Sequence, residues 1–335
     1  MSSRQAESNL TPIQSGICGA NAGLISRLII APLDVIKIRL QLDSHKRFRV
    51  FSKPEANRRE PGYGSSRSKY TSMSQTFRTI MAEEGIFGFW KGNLAAEYLY
   101  LTYGALQFLT YKGVEQILSN LNENSPIHIP RASHTFFAGA TAGVVATIGT
   151  YPLDLMRTRF AAQGGNKIYT SFTGAFSQIY RSEGLPGFYR GMWSAIIQIM
   201  PYMGLMFGSY DLLKRQFQAL KERSRLIQQI ESGEDFLCGG LAGVISKTGV
   251  FPFDLVRKRL QIQGPNRTKY IIDTIPQYNG GVLACIRQIL YTEGFLGLYK
   301  GLLPGLLKAA PGSAITFFIF GETARILKYI EKKIE

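Results

Sequence analysis

One pattern occurs three times and constrains this chain more than any other. Pro32, Asp34, Lys37 and Arg39 are echoed by Pro152, Asp154, Arg157 and Arg159, and again by Pro252, Asp254, Arg257 and Arg259. In each copy an acid lies two residues after the proline and bases lie five and seven after it, closing an apolar run rich in small residues. Copies about one hundred residues apart in one register indicate a threefold repeat. A second pattern follows each copy: Glu84 and Gly85 with Trp90, Lys91 and Gly92; Glu183 and Gly184 with Tyr189, Arg190 and Gly191; Glu293 and Gly294 with Tyr299, Lys300 and Gly301. The repeats are expected over residues 13–120, 121–225 and 226–335, after a flexible tail of residues 1–12.

The apolar runs decide the solvent. Thr135 to Leu153 is 19 residues without charge, and Gly191 to Tyr210 is 20. A bilayer core needs roughly 20 such residues. Runs near 14–33, 92–111, 236–253 and 301–320 each carry one ionisable residue: Arg27, Glu97, Lys247 and Lys308. A charge inside an apolar helix faces a water-filled cavity and marks a substrate path. A soluble helical protein is the alternative, but six such runs leave little polar surface for water.

The formal charge of +16 favours anionic lipid surfaces and an anionic ligand. Nucleic-acid binding finds no motif to support it. Cys18, Cys238 and Cys285 are odd in number and lack metal spacing, so neither disulfides nor a metal site is expected. The first twelve residues lack the apolar core of a cleavable signal. An enzyme would need a nucleophile beside a base, yet His45, His128 and His134 fall in a basic loop, a linker and a helix edge without helical partners. No catalytic residue and no cofactor is expected. A scaffold protein would not need bases inside the bilayer.

Local signals complete the repeat. Gly19 and Gly23, Gly139 and Gly143, and Gly239 and Gly243 hold one register before their prolines, which predicts three equivalent tight helix contacts. Each proline bends its helix. Acid and first base then share a helix face, and three such helices around an axis gather them into a ring. Short amphipathic helices are expected near 71–84, 171–183 and 280–293, lying on the membrane surface and ending at the glutamate–glycine step. Residues 44–69 read as a disordered basic loop, and 264–279 as a smaller insertion.

Together the two patterns, in triplicate from about residue 13 to about residue 330, resemble the mitochondrial carrier family. The resemblance implies an all-α membrane protein of the mitochondrial inner membrane. It implies six transmembrane helices in three tandem repeats with pseudo-threefold symmetry, three short matrix-side surface helices, both termini on the intermembrane-space side, and a monomer. It implies a matrix gate of Asp34 with Arg157, Asp154 with Arg257, and Asp254 with Lys37, braced by Gln41 and Gln261, with Ala161 leaving repeat two unbraced. It assigns cardiolipin to Lys91 and Gly92, Arg190 and Gly191, and Lys300 and Gly301, where free helix-start N–H groups suit phosphate. The family's second, cytoplasmic ring survives as Tyr210, Asp211 and Lys214 in repeat two. Repeat one has Lys112 and Glu115 instead, and repeat three has Glu322 and Arg325 displaced by one residue. That ring is therefore expected to be the weaker one, leaving the empty carrier closed to the matrix and open to the cytoplasm.

Arg27, Thr147 and Lys247 lie five residues before their prolines and should face a central cavity. The family's contact points map to Leu99, to Gln198 and Ile199, and to Lys308, with Tyr100, Tyr103 and Gln107 following on one helix face. Arg27, Lys247 and Lys308 suit a diphosphate; the tyrosines suit an aromatic or cationic group, with helix packing as their ordinary role; Gln198 and Gln107 suit a pyrimidine edge. Glu97 is a candidate partner for a cationic group, or packs on a neighbouring helix. The run from Thr102 to Phe108 resembles the branch of the family that carries thiamine pyrophosphate, which implies its import in exchange for nucleotides. Adenine nucleotides or coenzyme A are the alternative substrates.

Overall fold

The computed structural model describes residues 12–44, 69–124, 131–223, 234–272, 275–278 and 280–334. The expected tail and most of the basic loop lie outside them, as do His45 and His128. The described residues form helices and connecting turns, with no strand among them. In chain order these are α1 (Pro12–Leu42), α2 (Met73–Glu84), α3 (Asn93–Asn124), α4 (Arg131–Ala162), α5 (Phe172–Gly187), α6 (Met192–Ile197), α7 (Ile199–Arg223), α8 (Glu234–Gln261), α9 (Gly281–Glu293), α10 (Leu302–Leu307) and α11 (Ala309–Ile334).

Four stretches, Gly16–Leu42, Thr135–Ala162, Glu234–Gln261 and Phe295–Glu331, are long and apolar enough to cross a bilayer. With α3 and the α6–α7 pair they make six spans. The most extensive packing runs between repeats: α3 lies along α4, α7 along α8, and α11 along α1. Each repeat leans on the next and the third returns to the first, so the six spans close into a ring.

The proline inside each of α1, α4 and α8 leaves a helical carbonyl four residues earlier without its N–H partner. In α1 that carbonyl belongs to Leu28, and the Trp90 indole donates to it at 2.9 Å. The even spans bend for the same reason. α6 ends at Ile197 and α10 at Leu307, each four residues before a proline, Pro201 or Pro311. Repeat one has Thr102 at the matching position and α3 runs unbroken; the Thr102 hydroxyl donates to the Tyr98 carbonyl at 2.7 Å.

The surface helices follow from their caps. Ser72 and Ser171 accept from the backbone N–H of Gln75 and Gly174 at the starts of α2 and α5. Gly85, Gly184 and Gly294 turn the chain at φ of 67°, 67° and 76°, a region costly for any residue with a Cβ. Tight packing concentrates at this proline end. Val35, Ile36, Ile80, Phe89, Leu155, Ile179, Phe188 and Ile262 form one buried cluster there, and Phe251, Leu255, Val256, Ile289 and Leu298 a second.

The glycine pairs behave differently from expectation. A Cβ on Gly139 would meet Met203 at 3.1 Å and one on Gly143 would meet Ile199 at 3.6 Å, so α4 and α7 do approach closely. Around Gly19, Gly23, Gly239 and Gly243 nothing lies within 4 Å. The three contacts are thus not equivalent. In repeats one and three the small face looks into open space, and Gly19 and Gly23 line a cavity.

Candidate functional site

The proline end of the bundle is held by two tiers of charge. In the upper tier, Arg157 of α4 reaches Asp34 of α1 at 2.5 Å, Arg257 of α8 reaches Asp154 at 3.0 Å, and Lys37 of α1 reaches Asp254 at 3.0 Å. Acid and base come from successive repeats each time, so the pairs tie all three odd helices into a ring. Every one of these side chains is largely buried.

The braces are unequal. Gln261 donates to the Asp154 carboxylate and accepts from Lys258 at 3.0 Å and Thr158 at 2.6 Å. The Gln41 side chain is fully buried, yet neither its amide nitrogen nor its oxygen has a hydrogen-bond partner. The expected brace from Gln41 is not formed. Repeat one lacks a counterpart of Lys258 for such an amide to meet, Ile38 standing there instead.

The lower tier uses the second base of each motif. Arg39, Arg159 and Arg259 are fully buried and each forks onto the glutamate that ends the adjacent surface helix. The second bonds of these forks are 2.8 Å to Glu84, 2.9 Å to Glu183 and 2.9 Å to Glu293. The same guanidinium groups donate onward to backbone carbonyls of the following repeat, Arg39 to Ala161, Arg159 to Gln261 and Arg259 to Gln41. Burial opposes the charge on Glu84, but the bonds from Arg39 outweigh it and hold the carboxyl below its ordinary range. In the sequence these glutamates read only as helix ends. The signal was present: this base is Arg in all three copies and its acid Glu in all three, as a planar two-point match requires.

Lys91, Arg190 and Lys300 complete each cluster by meeting Glu84, Glu183 and Glu293 at 2.5, 2.9 and 2.7 Å. Their charges are engaged by protein carboxylates. The helix starts whose N–H groups are expected to meet a lipid phosphate lie beside these ion pairs, at Gly92, Gly191 and Gly301.

A cavity of about 560 Å³ opens above the ring, between α1, α3 and α11. It falls within the ~300–1,000 Å³ usual for small-molecule sites. Its polar lining includes Arg27, Glu97, Tyr100 and Lys308. The cavity bases are not free. Lys308 contacts Asp34 at 2.5 Å, and Arg27 lies 4.0 Å from the same carboxylate. Lys247, which does not line this cavity, contacts Asp254 at 3.0 Å. Tyr100 presents its ring to the Arg27 guanidinium, 3.2 Å from the ring centre, and its hydroxyl accepts from Arg157 at 3.4 Å. The ring face expected for a ligand is thus covered by arginine. Glu97 accepts from Asn93 at 3.3 Å.

The remaining expected contacts do not line this cavity. Leu99 is buried, Ile199 packs beneath Gly143, and the Tyr103 hydroxyl lies 4.0 Å from the same glycine's Cβ position. Gln107 is exposed. Gln198 stands at the break between α6 and α7, its side-chain oxygen buried without a partner. Thr147 donates to the Gly143 carbonyl at 2.7 Å, within its own helix. The lining of this cavity comes from repeats one and three, and repeat two has threonine where the others have bases.

Among the described residues the opposite end shows no matching ring of ion pairs. Tyr210 and Lys214 both donate to Asp235, at 2.8 and 3.0 Å, on exposed surface. Arg325 pairs with Glu322 and Lys112 with Glu115 inside their own helices. Asp211 is exposed. Among the described residues only the Asp235 contact joins neighbouring repeats through Tyr210, Asp211, Lys214, Glu322 and Arg325, the groups of the ring expected to be the weaker one.

Comparison with known proteins agrees with this architecture. A family model for the mitochondrial carrier protein matches residues 8–122, 130–221 and 228–331. The chain belongs to the mitochondrial carrier family. Members are membrane transporters, so this chain is a transporter rather than an enzyme. Among curated proteins it is 46% identical over 316 residues to the mitochondrial thiamine pyrophosphate carrier 1 of Aspergillus terreus, covering 94% of this chain and 92% of the relative. The protein of that name from Coccidioides immitis is 47% identical over 315 residues, covering 94% and 93%. That from Sclerotinia sclerotiorum is 46% identical over 323 residues, covering 96% and 94%.

Proposed function

We propose that this chain imports thiamine pyrophosphate across the mitochondrial inner membrane in exchange for nucleotides, by alternating access at the cavity between α1, α3 and α11. The reading has the chain act as a monomer with both termini on the intermembrane-space side. The names of the relatives support the substrate. One observation carries the mechanism: the cations nearest the cavity are held by gate carboxylates. Lys308 and Arg27 share Asp34, and Lys247 shares Asp254. A diphosphate entering the cavity competes with Asp34 for Lys308 and Arg27, the two cations in its wall. Each cation it wins leaves a gate acid with one partner fewer. Binding thereby weakens the closed ring, and only such differential affinity can shift a carrier between its states. Glu97, at the cavity wall, is the group suited to the cationic thiazolium. The helix-start N–H groups at Gly92, Gly191 and Gly301 are the places for cardiolipin phosphates.

The test is uptake of radiolabelled thiamine pyrophosphate into liposomes holding the purified protein and unlabelled nucleotide. Saturable exchange is expected, with Lys308→Ala and Lys247→Ala reducing it by about tenfold or more. Exchange of adenine nucleotides or coenzyme A in its absence would discard the substrate and keep the carrier.

A further inference from the structure

The three gate carboxylates each hold a second cation, but not from the same source. At Asp34 it is Lys308, which lines the cavity, and at Asp254 it is Lys247. At Asp154 it is Lys258, the residue next to the pairing Arg257 on α8. Lys258 lies 3.1 and 3.0 Å from the two Asp154 oxygens, 2.9 Å from Thr158 and 3.0 Å from the Gln261 side-chain oxygen. It is 9% exposed and has all its donors engaged. The matching positions in the other repeats are Ile38 and Thr158. Repeat two, correspondingly, has no base at Thr147, where repeats one and three carry Arg27 and Lys247. Asp154, the one gate carboxylate whose repeat has no base at that position, therefore receives its second cation from Lys258 within the ring.

We propose that Lys258 is a positioning residue that strengthens the Asp154–Arg257 pair by an amount the ligand does not change, so the gate combines a pair at Asp34 that the cavity ligand loosens with a latch at Asp154 that it does not. This rests on the reading of the ring as a gate. A ligand in the cavity competes for Lys308 and Arg27 but does not meet Lys258, which lies buried within the ring among Asp154, Thr158 and Gln261. The latch sets a floor on opening that occupancy alone does not remove. Its role is to suppress conversion of the empty carrier, and so to favour exchange over one-way leak.

The experiment compares two rates in proteoliposomes loaded with radiolabelled thiamine pyrophosphate: efflux into ligand-free medium and efflux into medium with unlabelled ligand. Lys258→Met is expected to raise the ratio of unpaired efflux to exchange about fivefold or more, with KM within about twofold of the parent. Lys258→Arg should restore the parental ratio. Lys308→Met should instead raise KM. Thr158→Val, which removes one partner and keeps the lysine, should move the ratio in the same direction by a smaller factor; it serves if Lys258→Met does not fold. Proportional loss of both rates in Lys258→Met, or an unchanged ratio in Thr158→Val, would mean a structural role and overturn the latch. If the parent protein exchanges another nucleotide-like anion instead, the substrate assignment fails, while the ratio measured with that anion still decides the latch.

Discussion

Gln41 and Gln261 occupy one position of the repeat and should respond oppositely to one substitution. Gln261 donates to the Asp154 carboxylate and accepts from Lys258 and Thr158. Hydrogen bonds to charged groups contribute about 1.5–3 kcal/mol each. Asp154 and Lys258 keep other partners, so Gln261→Leu should cost about 3 kcal/mol rather than the full sum. Gln41 is equally buried but has no partner for its side chain. Replacing an orphaned amide by an apolar group of similar size removes a desolvation penalty of about 1–3 kcal/mol, and small misfits offset part of that gain. In a chain of this length 1 kcal/mol moves the melting temperature by roughly 2 °C. Thermal unfolding of the purified protein in detergent should show Gln261→Leu lower by about 6 °C and Gln41→Leu unchanged or slightly higher. Equal losses in the two variants would refute the reasoning, because Gln41 would then be making bonds of similar worth.

Two further perturbations follow. A Cβ on Gly92, whose φ is 82°, would sit 2.6 Å from the Arg157 carbonyl, so Gly92→Ala should destabilise by about 2–4 kcal/mol and cut the yield of folded protein, measured by size exclusion in detergent. Burial pushes the Cys285 thiol up to about 12, which leaves on the order of one thiolate in ten thousand or fewer at neutral pH; mass spectrometry after maleimide treatment should find Cys285 unlabelled in the folded protein and labelled after denaturation.

The architecture was legible because each repeat marks its own punctuation. Prolines bend the odd helices, and glycines at positive φ end the surface helices. The buried arginine–glutamate forks were written in the choice of Arg and Glu at every copy, beside a first base that varies between Lys37 and Arg157. What escaped was local asymmetry. Gly19 and Gly23 have the spacing of Gly139 and Gly143, but spacing reports a small face and not what stands opposite it. Lys258 follows Arg257 as an ordinary charge would, and only the approach of α4 carries Asp154 to it. Arg27, Lys247 and Lys308 were readable as intramembrane charges, whereas their capture by Asp34 and Asp254 is a tertiary fact.

That capture bears on why the ligand must be an anion. Asp34 meets Arg157, Lys308 and Arg27, Asp154 meets Arg257 and Lys258, and Asp254 meets Lys37 and Lys247, so each carboxylate faces at least two cations. The centre of the bundle carries excess positive charge where solvation is poor, and such charge is costly unless matched. The acids cannot match it, for they are outnumbered. A ligand bearing negative charge completes the balance, and Lys308 and Arg27 at the cavity wall are where it can do so. Once it does, each of those cations is held by ligand instead of by Asp34, and the ring loses at Asp34 what the ligand gains. A neutral or cationic solute would leave the excess in place and the ring closed. The charge surplus that attracts the ligand is thus the same surplus whose redistribution opens the gate.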